Sequence, residues 1–367
     1  LTGRTQAVLV HVDAGTAQIG GAYHDAQRDR AAIVVCAGRA PATFGAGVPG
    51  GKDMSIHWIQ EQPDQNGIVR TFTKWDYELR RNENVHHVMQ RAFQVAASEP
   101  PGPVYLMLPR EVLMEKMETT QNLPTKRYAP PTTPQADAGQ LKAAAKALSQ
   151  AENPLIIATQ SGRNQSSVQA MVELAELVGA PVISESVHLN FPTDHPLWAG
   201  IAGNQYIENA DVILAIDSDV PYIPINAKPN PDAQIIHIDI DPIKQSIPMW
   251  VFPTDSLMHA DSAKAIPALN EMLTEMISEA VECELQFAED LLSQGVSGMS
   301  TADTREYLQF VGDQRLAQLG LRPKYGSKNP FGFMELQDVQ ELTNFFERTV
   351  AAYQVGVEGN VAFDEDF

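Results

Sequence analysis

The sequence predicts an α/β protein: two doubly wound parallel-sheet units, followed by an all-α segment with a disordered acidic tail. Three observations carry this. Short apolar runs alternate with amphipathic helical stretches up to about residue 273. A Pro-rich segment, Pro124–Pro134, divides that alternating part in two. Beyond Glu275 only helical patterns recur, and the chain closes on Phe363-Asp-Glu-Asp-Phe367.

In the first unit, Gln6–His11 reads as a buried strand. Asp13-Ala-Gly-Thr16 leads into a helix with Ile19, Ala22, Tyr23 and Ala26 on one face. Ala31–Ala37 is the next strand, and a Gly-rich loop runs from Phe44 to Gly51. That loop lacks the Lys-Ser/Thr continuation of a phosphate cradle. Val85, Val88, Met89, Ala92 and Val95 give the helix Asn84–Ser98 its apolar face, with Asn84 as N-cap. His86 and His87 read as partly exposed on that helix. Val104–Leu108 is a third strand.

Pro124 to Pro134 reads as a stiff, extended linker. The second unit, about 137–272, holds helices Ala138–Gln150 and Ser167–Val178. Its four strands are Pro154–Ala158, Pro181–Ser184, Asp211–Ile216 and Gln234–Ile240. That is enough to fold alone. His195 reads as a loop cap. Asp239 and Asp241, before Pro242, read as a solvated turn rather than a metal pair. The first unit, about 1–123, is expected to be the less stable, with a sheet edge or apolar face left open.

The join is the unusual feature. Ala263, Ile266, Leu269 and Leu273 fall at helical spacing, and a second stripe through Ile277, Ala280, Val281, Ala288, Leu291 and Leu292 follows with no turn between. Domains ordinarily meet in polar linkers. A helical segment, 275–334, and a last helix with flexible tail, 335–367, complete the chain. Gly295 and Gly298 break the first helix, and Ala302–Leu319 forms the next.

The formal charge of −20 excludes nucleic acid as partner, because phosphate binding needs a basic face. No apolar run has the length of a membrane span. The two cysteines, Cys36 and Cys283, read as buried free thiols of a cytoplasmic protein. No Cys/His cluster has metal spacing. Opening on Leu1 with a strand a few residues on, the N-terminus reads as cut.

Residues about 1–272 resemble thiamine-diphosphate (ThDP) enzymes of the acetolactate-synthase type. In the first unit the strings are Gly102-Pro-Val-Tyr-Leu-Met-Leu-Pro-Arg-Glu-Val112, Asp13-Ala-Gly-Thr-Ala-Gln18 and His57-Trp-Ile-Gln-Glu61. In the second they are Asn153-Pro-Leu-Ile-Ile, Gly179-Ala-Pro-Val-Ile, Asp194-His-Pro-Leu-Trp-Ala-Gly200 and His237-Ile-Asp-Ile-Asp-Pro242. The resemblance implies a pyrimidine-binding domain, truncated here, and a central domain. It implies ThDP and magnesium as cofactors, chemistry on a 2-keto acid, and a homo-oligomer. It places Gly15, Thr16, Gln18 and Gln60 at the cofactor. The family's glutamate for the pyrimidine ring lies upstream of Gln6. Its diphosphate-and-magnesium site lies in a third domain with Gly-Asp-Gly and Asn-Asn strings, and neither string occurs in this sequence.

Residues about 275–367 resemble the C-terminal end of the class I ribonucleotide reductase small (β) subunit. The strings are Arg305-Glu-Tyr-Leu-Gln-Phe-Val311 with Arg315-Leu316, Lys328-Asn-Pro-Phe331, Asn344-Phe-Phe-Glu347 with Val350, Tyr353-Gln354, and the acidic-aromatic end. The resemblance implies that Tyr353 is a radical relay, silent here, and that Phe363, Asp364, Asp366 and Phe367 dock on the large subunit. The family's di-metal ligands lie upstream of this segment, which contains no histidine. The expected function is therefore a fragment of a ThDP-dependent decarboxylase/ligase fused to a reductase tail, inactive alone, with both active sites incomplete. Alternatives are an enzyme completed by a partner chain, a reductase-related protein docking through its tail, and a non-catalytic binding scaffold.

Overall fold

The computed structural model describes residues 3–44, 47–117, 124–184, 188–201 and 203–293, the last sixteen as helical backbone only. The chain divides into two compact units, one ending at Thr133 and one beginning at Pro134. No helix of the described residues is long and apolar enough to cross a membrane.

The first unit is a four-stranded, wholly parallel sheet in the order β1-β2-β4-β3. In chain order it runs β1 (Gln6–Val10), α1 (Val12–Gln18), α2 (Gly20–Arg28), β2 (Ile33–Arg39), the short α3 (Ile56–Ile59), β3 (Trp75–Glu78), α4 (Val85–Ala97), β4 (Val104–Pro109) and α5 (Arg110–Met114). Alternation along β2 and β4 sends Val35, Ala37, Tyr105 and Met107 to one face, against Tyr23 of α2 and Val69. Val34, Val104 and Leu106 go to the other, against Ala92 and Ala96 of α4.

Several expectations are corrected here. β1 is not buried: it is an edge strand, with Val8 41% and Leu9 77% exposed. β3 was not foreseen, because Trp-Asp-Tyr-Glu has no apolar run. One helix was expected where two stand, α1 and α2, and of its predicted face only Tyr23 and Ala26 are buried. Asn84 sits at the start of α4 in a helical conformation and makes no side-chain capping bond. Nor is 124–134 extended throughout. A 3₁₀ turn spans Thr125–Tyr128, and Gln94 Nε2 donates to Ala129 O at 3.1 Å.

The second unit is also wholly parallel, in the order β6-β5-β7-β8-β9. Its elements are α6 (Ala138–Gln150), β5 (Pro154–Ala158), α7 (Ser166–Val178), β6 (Val182–Ser184), α8 (Asn204–Asn209), β7 (Val212–Ile216), β8 (Gln234–Asp239), β9 (Ser256–His259) and α9 (Ser262–Ser293). Five strands replace the four expected, since Ser-Leu-Met-His is too short and mixed to read as one. Asp137 caps α6 by accepting from Gln140 N at 2.9 Å. Gly179 ends α7 in the left-handed conformation. One face of the sheet, with Ile156, Leu214, Ile216, Ile236 and Ile238, packs on α6, α7 and α9.

α9 crosses the join without a break, with Pro267 inside it. Ile266, Leu269 and Leu273 are fully buried at helical spacing. Asn270 Nδ2 donates to Ala170 O at 2.9 Å and ties α9 to α7. The expectations for 294–367, including Tyr353 and the acidic tail, lie outside the described residues.

Candidate functional site

In open parallel sheets, sites form beyond the carboxyl ends of the strands. In the first unit that edge carries α1 and the loop from Pro41 to Glu61. Gly15 sits on α1 against β1: a Cβ there would lie 3.1 Å from Val10 Cβ. Its small size thus serves helix-on-strand packing. Thr16 is fully buried, with its hydroxyl 2.6 Å from Val12 O and 2.7 Å from Tyr105 Oη. Gln65, also buried, donates to Tyr105 Oη and to Gly38 O, each at 2.9 Å. Thr16, Tyr105 and Gln65 therefore form an internal polar network joining α1, β4 and β2. Gln18 is exposed, and Gln60 is half-buried at the end of α3. Of the four residues expected at a cofactor, two are committed to packing and internal hydrogen bonds, and two remain open to solvent.

The residues that do come together nearby are different ones. Arg110, first in α5, grips Asp53 with both guanidinium nitrogens, at 3.0 and 3.1 Å, and donates to Gly51 O at 3.1 Å. His57 Nδ1 lies 3.1 Å from Asp53 Oδ1. The Arg110 hydrogen bonds hold the Asp53 carboxyl below the ordinary carboxylate range. Lys52 pairs with Glu61, donates to His57 O at 2.8 Å and sits 5.3 Å from the Trp58 ring centroid. Burial pushes the Glu111 carboxyl up, but hydrogen bonds from the amide and hydroxyl of Thr43 outweigh it, and the net shift is downward. This loop encloses a concavity of about 360 Å³ between Phe44, Val48, Lys52 and Asp53. Sequence reading marked the Gly-rich loop and the His57–Glu61 string. It had no signal for Arg110 closing the loop from 57 residues away.

Elsewhere, Cys36 is half-buried rather than buried, and burial raises its thiol pKa. His195 does brace its loop: Nδ1 accepts from Leu197 N at 3.2 Å, and Nε2 lies 3.1 Å from Glu176 Oε1. Asp239 and Asp241 do form a turn, with Asp241 N–H donating to Asp239 Oδ1 at 2.7 Å. Asp239, however, is fully buried, which corrects the solvated reading. Among the described residues no group of three or more His, Cys, Asp or Glu could hold a metal ion.

Residues 141–269 match the family described as thiamine pyrophosphate enzyme, central domain, and residues 256–330 match ribonucleotide reductase, small chain. Two unrelated families thus match two stretches of one polypeptide. The matches overlap over 256–269, which is β9 and the first turns of α9. A probable acetolactate synthase large subunit of Methanocaldococcus jannaschii is 30% identical over 203 residues, covering 50% of this chain and 33% of that protein. A ribonucleoside-diphosphate reductase small subunit of Arabidopsis thaliana is 38% identical over 123 residues, covering 30% of this chain and 37% of that one. The chain thus spans about a third of the length of the curated relatives it matches. The crystal structure of benzoylformate decarboxylase from Polynucleobacter necessarius superposes with a TM-score of 0.60 at 22% identity, over 74% of this chain and 50% of that one. This likeness establishes the fold of the α/β part.

Proposed function

We propose that this chain is a fusion of an acetolactate-synthase-like pair of domains with the C-terminal part of a ribonucleotide reductase small subunit, and that by itself it turns over no 2-keto acid. The observation that carries the reading is the junction. α9 begins inside the central-domain match, which ends at residue 269, and lies wholly within the stretch that matches the reductase. A reductase-like sequence therefore takes over where the central-domain-like match ends, the two overlapping over 256–269. The Gly-Asp-Gly and Asn-Asn strings that the resemblance implies for a third domain do not occur in the given sequence.

ThDP, when bound in that family, supplies the carbanion-stabilising chemistry; the protein holds and orients it. In support of this reading, the Thr16 hydroxyl, expected at the cofactor, is engaged with Tyr105 Oη at 2.7 Å. Titration calorimetry of the full chain with ThDP and magnesium should give no saturable binding, and incubation with pyruvate no acetolactate. Saturable binding together with product would overturn this reading.

The tail has a role of its own in the proposal. Phe363 and Phe367 fill apolar pockets on a reductase large subunit while Asp364 and Asp366 meet basic residues. Tyr353 carries no radical in this chain. A peptide of residues 354–367 should bind a cognate large subunit weakly, and deleting Phe367 should cost roughly 1–3 kcal/mol, the worth of one buried aromatic anchor. Fluorescence anisotropy measures both peptides, and equal binding would refute the docking model.

A further inference from the structure

We propose that the open edge of β1 pairs antiparallel with the same edge of a second copy of this chain, joining two first units into one sheet. β1 is an edge strand, in register with β2 over Gln6–Val10 without a bulge. Gln6 N donates to Ala32 O at 3.2 Å, so the backbone groups of Gln6, Val8 and Val10 face β2. By alternation those of Ala7 and Leu9 face away from the sheet, two donors and two acceptors with no strand beside them among the described residues. The side chains are open as well: Gln6, Ala7, Val8 and Leu9 are all exposed.

The other three sheet edges are protected in ways that β1 is not. The outer edge of β6 is occupied: Val182 N donates to Leu197 O and Ala199 N to Val182 O, both at 2.8 Å, and Ser184 N donates to Gly200 O at 3.1 Å. β3 and β9 are only four residues long. β3 carries Asp76 and Glu78, and β9 follows directly on Asp255 and ends on exposed His259. Gln6-Ala-Val-Leu-Val10 has none of these devices: no charge, no proline, no bulge and no covering segment among the described residues. Such an edge is a template for another strand.

A second copy fits this edge by symmetry and by charge. With Val8 of one copy opposite Val8 of the other on a twofold axis, Ala7 of each stands opposite Leu9 of its mate. Each such pair exchanges two hydrogen bonds, so every outward-facing group of Ala7 and Leu9 is satisfied. The two Val8 side chains then meet as a non-hydrogen-bonded pair, the closer kind of cross-strand neighbour. Arg4 precedes the strand and Asp13 follows it. Antiparallel pairing brings the basic end of one copy to the acidic end of the other, whereas parallel pairing would set like ends together. The formal charge of −20 opposes contact between copies over acidic surface, and this strand is neutral. The contact is isologous and closes on itself, leaving the acid-bearing β3 at both ends of the joined sheet.

Sedimentation equilibrium of the full chain tests this. The wild-type chain should show a reversible monomer–dimer equilibrium, half complete near about 100 µM, since one strand pair is a smaller contact than the roughly 1,200 Å² of a standard interface. Val8→Lys sets two ammonium groups against each other and should weaken association about tenfold or more, with an unchanged circular dichroism spectrum. In a glutathione redox buffer Val8→Cys should form a dimer linked between the two introduced thiols, because directly opposed partners lie within disulfide reach. Ala7→Cys, held opposite Leu9, should not link to itself. Peptide mapping separates both from links through Cys36 or Cys283. The cysteine pair decides the matter if Val8→Lys does not fold. A wild-type chain that stays monomeric at about 1 mM overturns the proposal. So does association unchanged in folded Val8→Lys, or a Val8→Cys chain that links no better than Ala7→Cys.

Discussion

Replacing Lys244 by methionine is expected to lower the stability of the second unit by about 3–5 kcal/mol. Methionine keeps the volume of the side-chain stem, so the loss is electrostatic rather than a cavity. The Lys244 ammonium stands between Asp239, which is fully buried, and Asp219. Removing it takes away the ammonium that stands between these two carboxylates. One must then take a proton or drag its loop into water. Each route weakens the contact between the loops after β7 and β8. Exposed Lys142 gives the control, since Lys142→Met should change stability by less than about 0.5 kcal/mol. Urea unfolding followed through tryptophan fluorescence compares the two. Adding Asp239→Asn to Lys244→Met should recover part of the loss, because one of the stranded charges is then gone. A loss for Lys244→Met no larger than that of the control would show that water already screens this pair.

These residues also mark where sequence reading ends. β5, β7 and β8 were legible because strands covered on both faces need near-continuous apolar runs, and Pro154–Ala158 and Val212–Ile216 are such runs. β3 and β9 were not, because four-residue edge strands carry mixed side chains and owe their pairing to β4 and β8. β1 shows the converse: an apolar run announces a strand but not its neighbours, and Leu9 stands open at the sheet edge. The same limit governs the candidate site. Asp-x-Asp before Pro242 encodes a turn, and the turn is there. That Lys244 folds back beneath Asp239 depends on a left-handed backbone that no local spacing announces. Thr16 was legible as a residue at a strand-to-helix turn. Its commitment to Tyr105, 89 positions on, belongs to the tertiary fold.

Gly162→Ala is expected to cost the second unit about 3 kcal/mol or more, at the upper end of what overpacking does. Gly162 lies in the 3₁₀ turn Ser161–Arg163 that follows β5. A Cβ there would fall 2.0 Å from Leu189 O, 2.5 Å from Leu189 C and 3.0 Å from Asn190 N. All three are backbone atoms, so no rotamer change relieves the overlap. The chain can only part the turn from the 188–190 segment. That segment is pinned by Asn190, which is buried. Asn190 Oδ1 accepts from Gly162 N at 2.8 Å and Ser161 Oγ at 3.2 Å, and its Nδ2 donates to Thr159 O at 2.9 Å. Separation therefore breaks buried hydrogen bonds as well as close packing. Gly200 separates this cause from backbone preference. It has φ of 86° and nothing within 4 Å of its would-be Cβ, whereas the φ of Gly162 lies outside the left-handed region. Gly200→Ala should thus cost only about 1–2 kcal/mol, the penalty of a left-handed alanine. Differential scanning calorimetry on both variants makes the comparison. If Gly200→Ala proved the more damaging, backbone conformation rather than the Leu189 carbonyl would be the reason this unit needs its glycines.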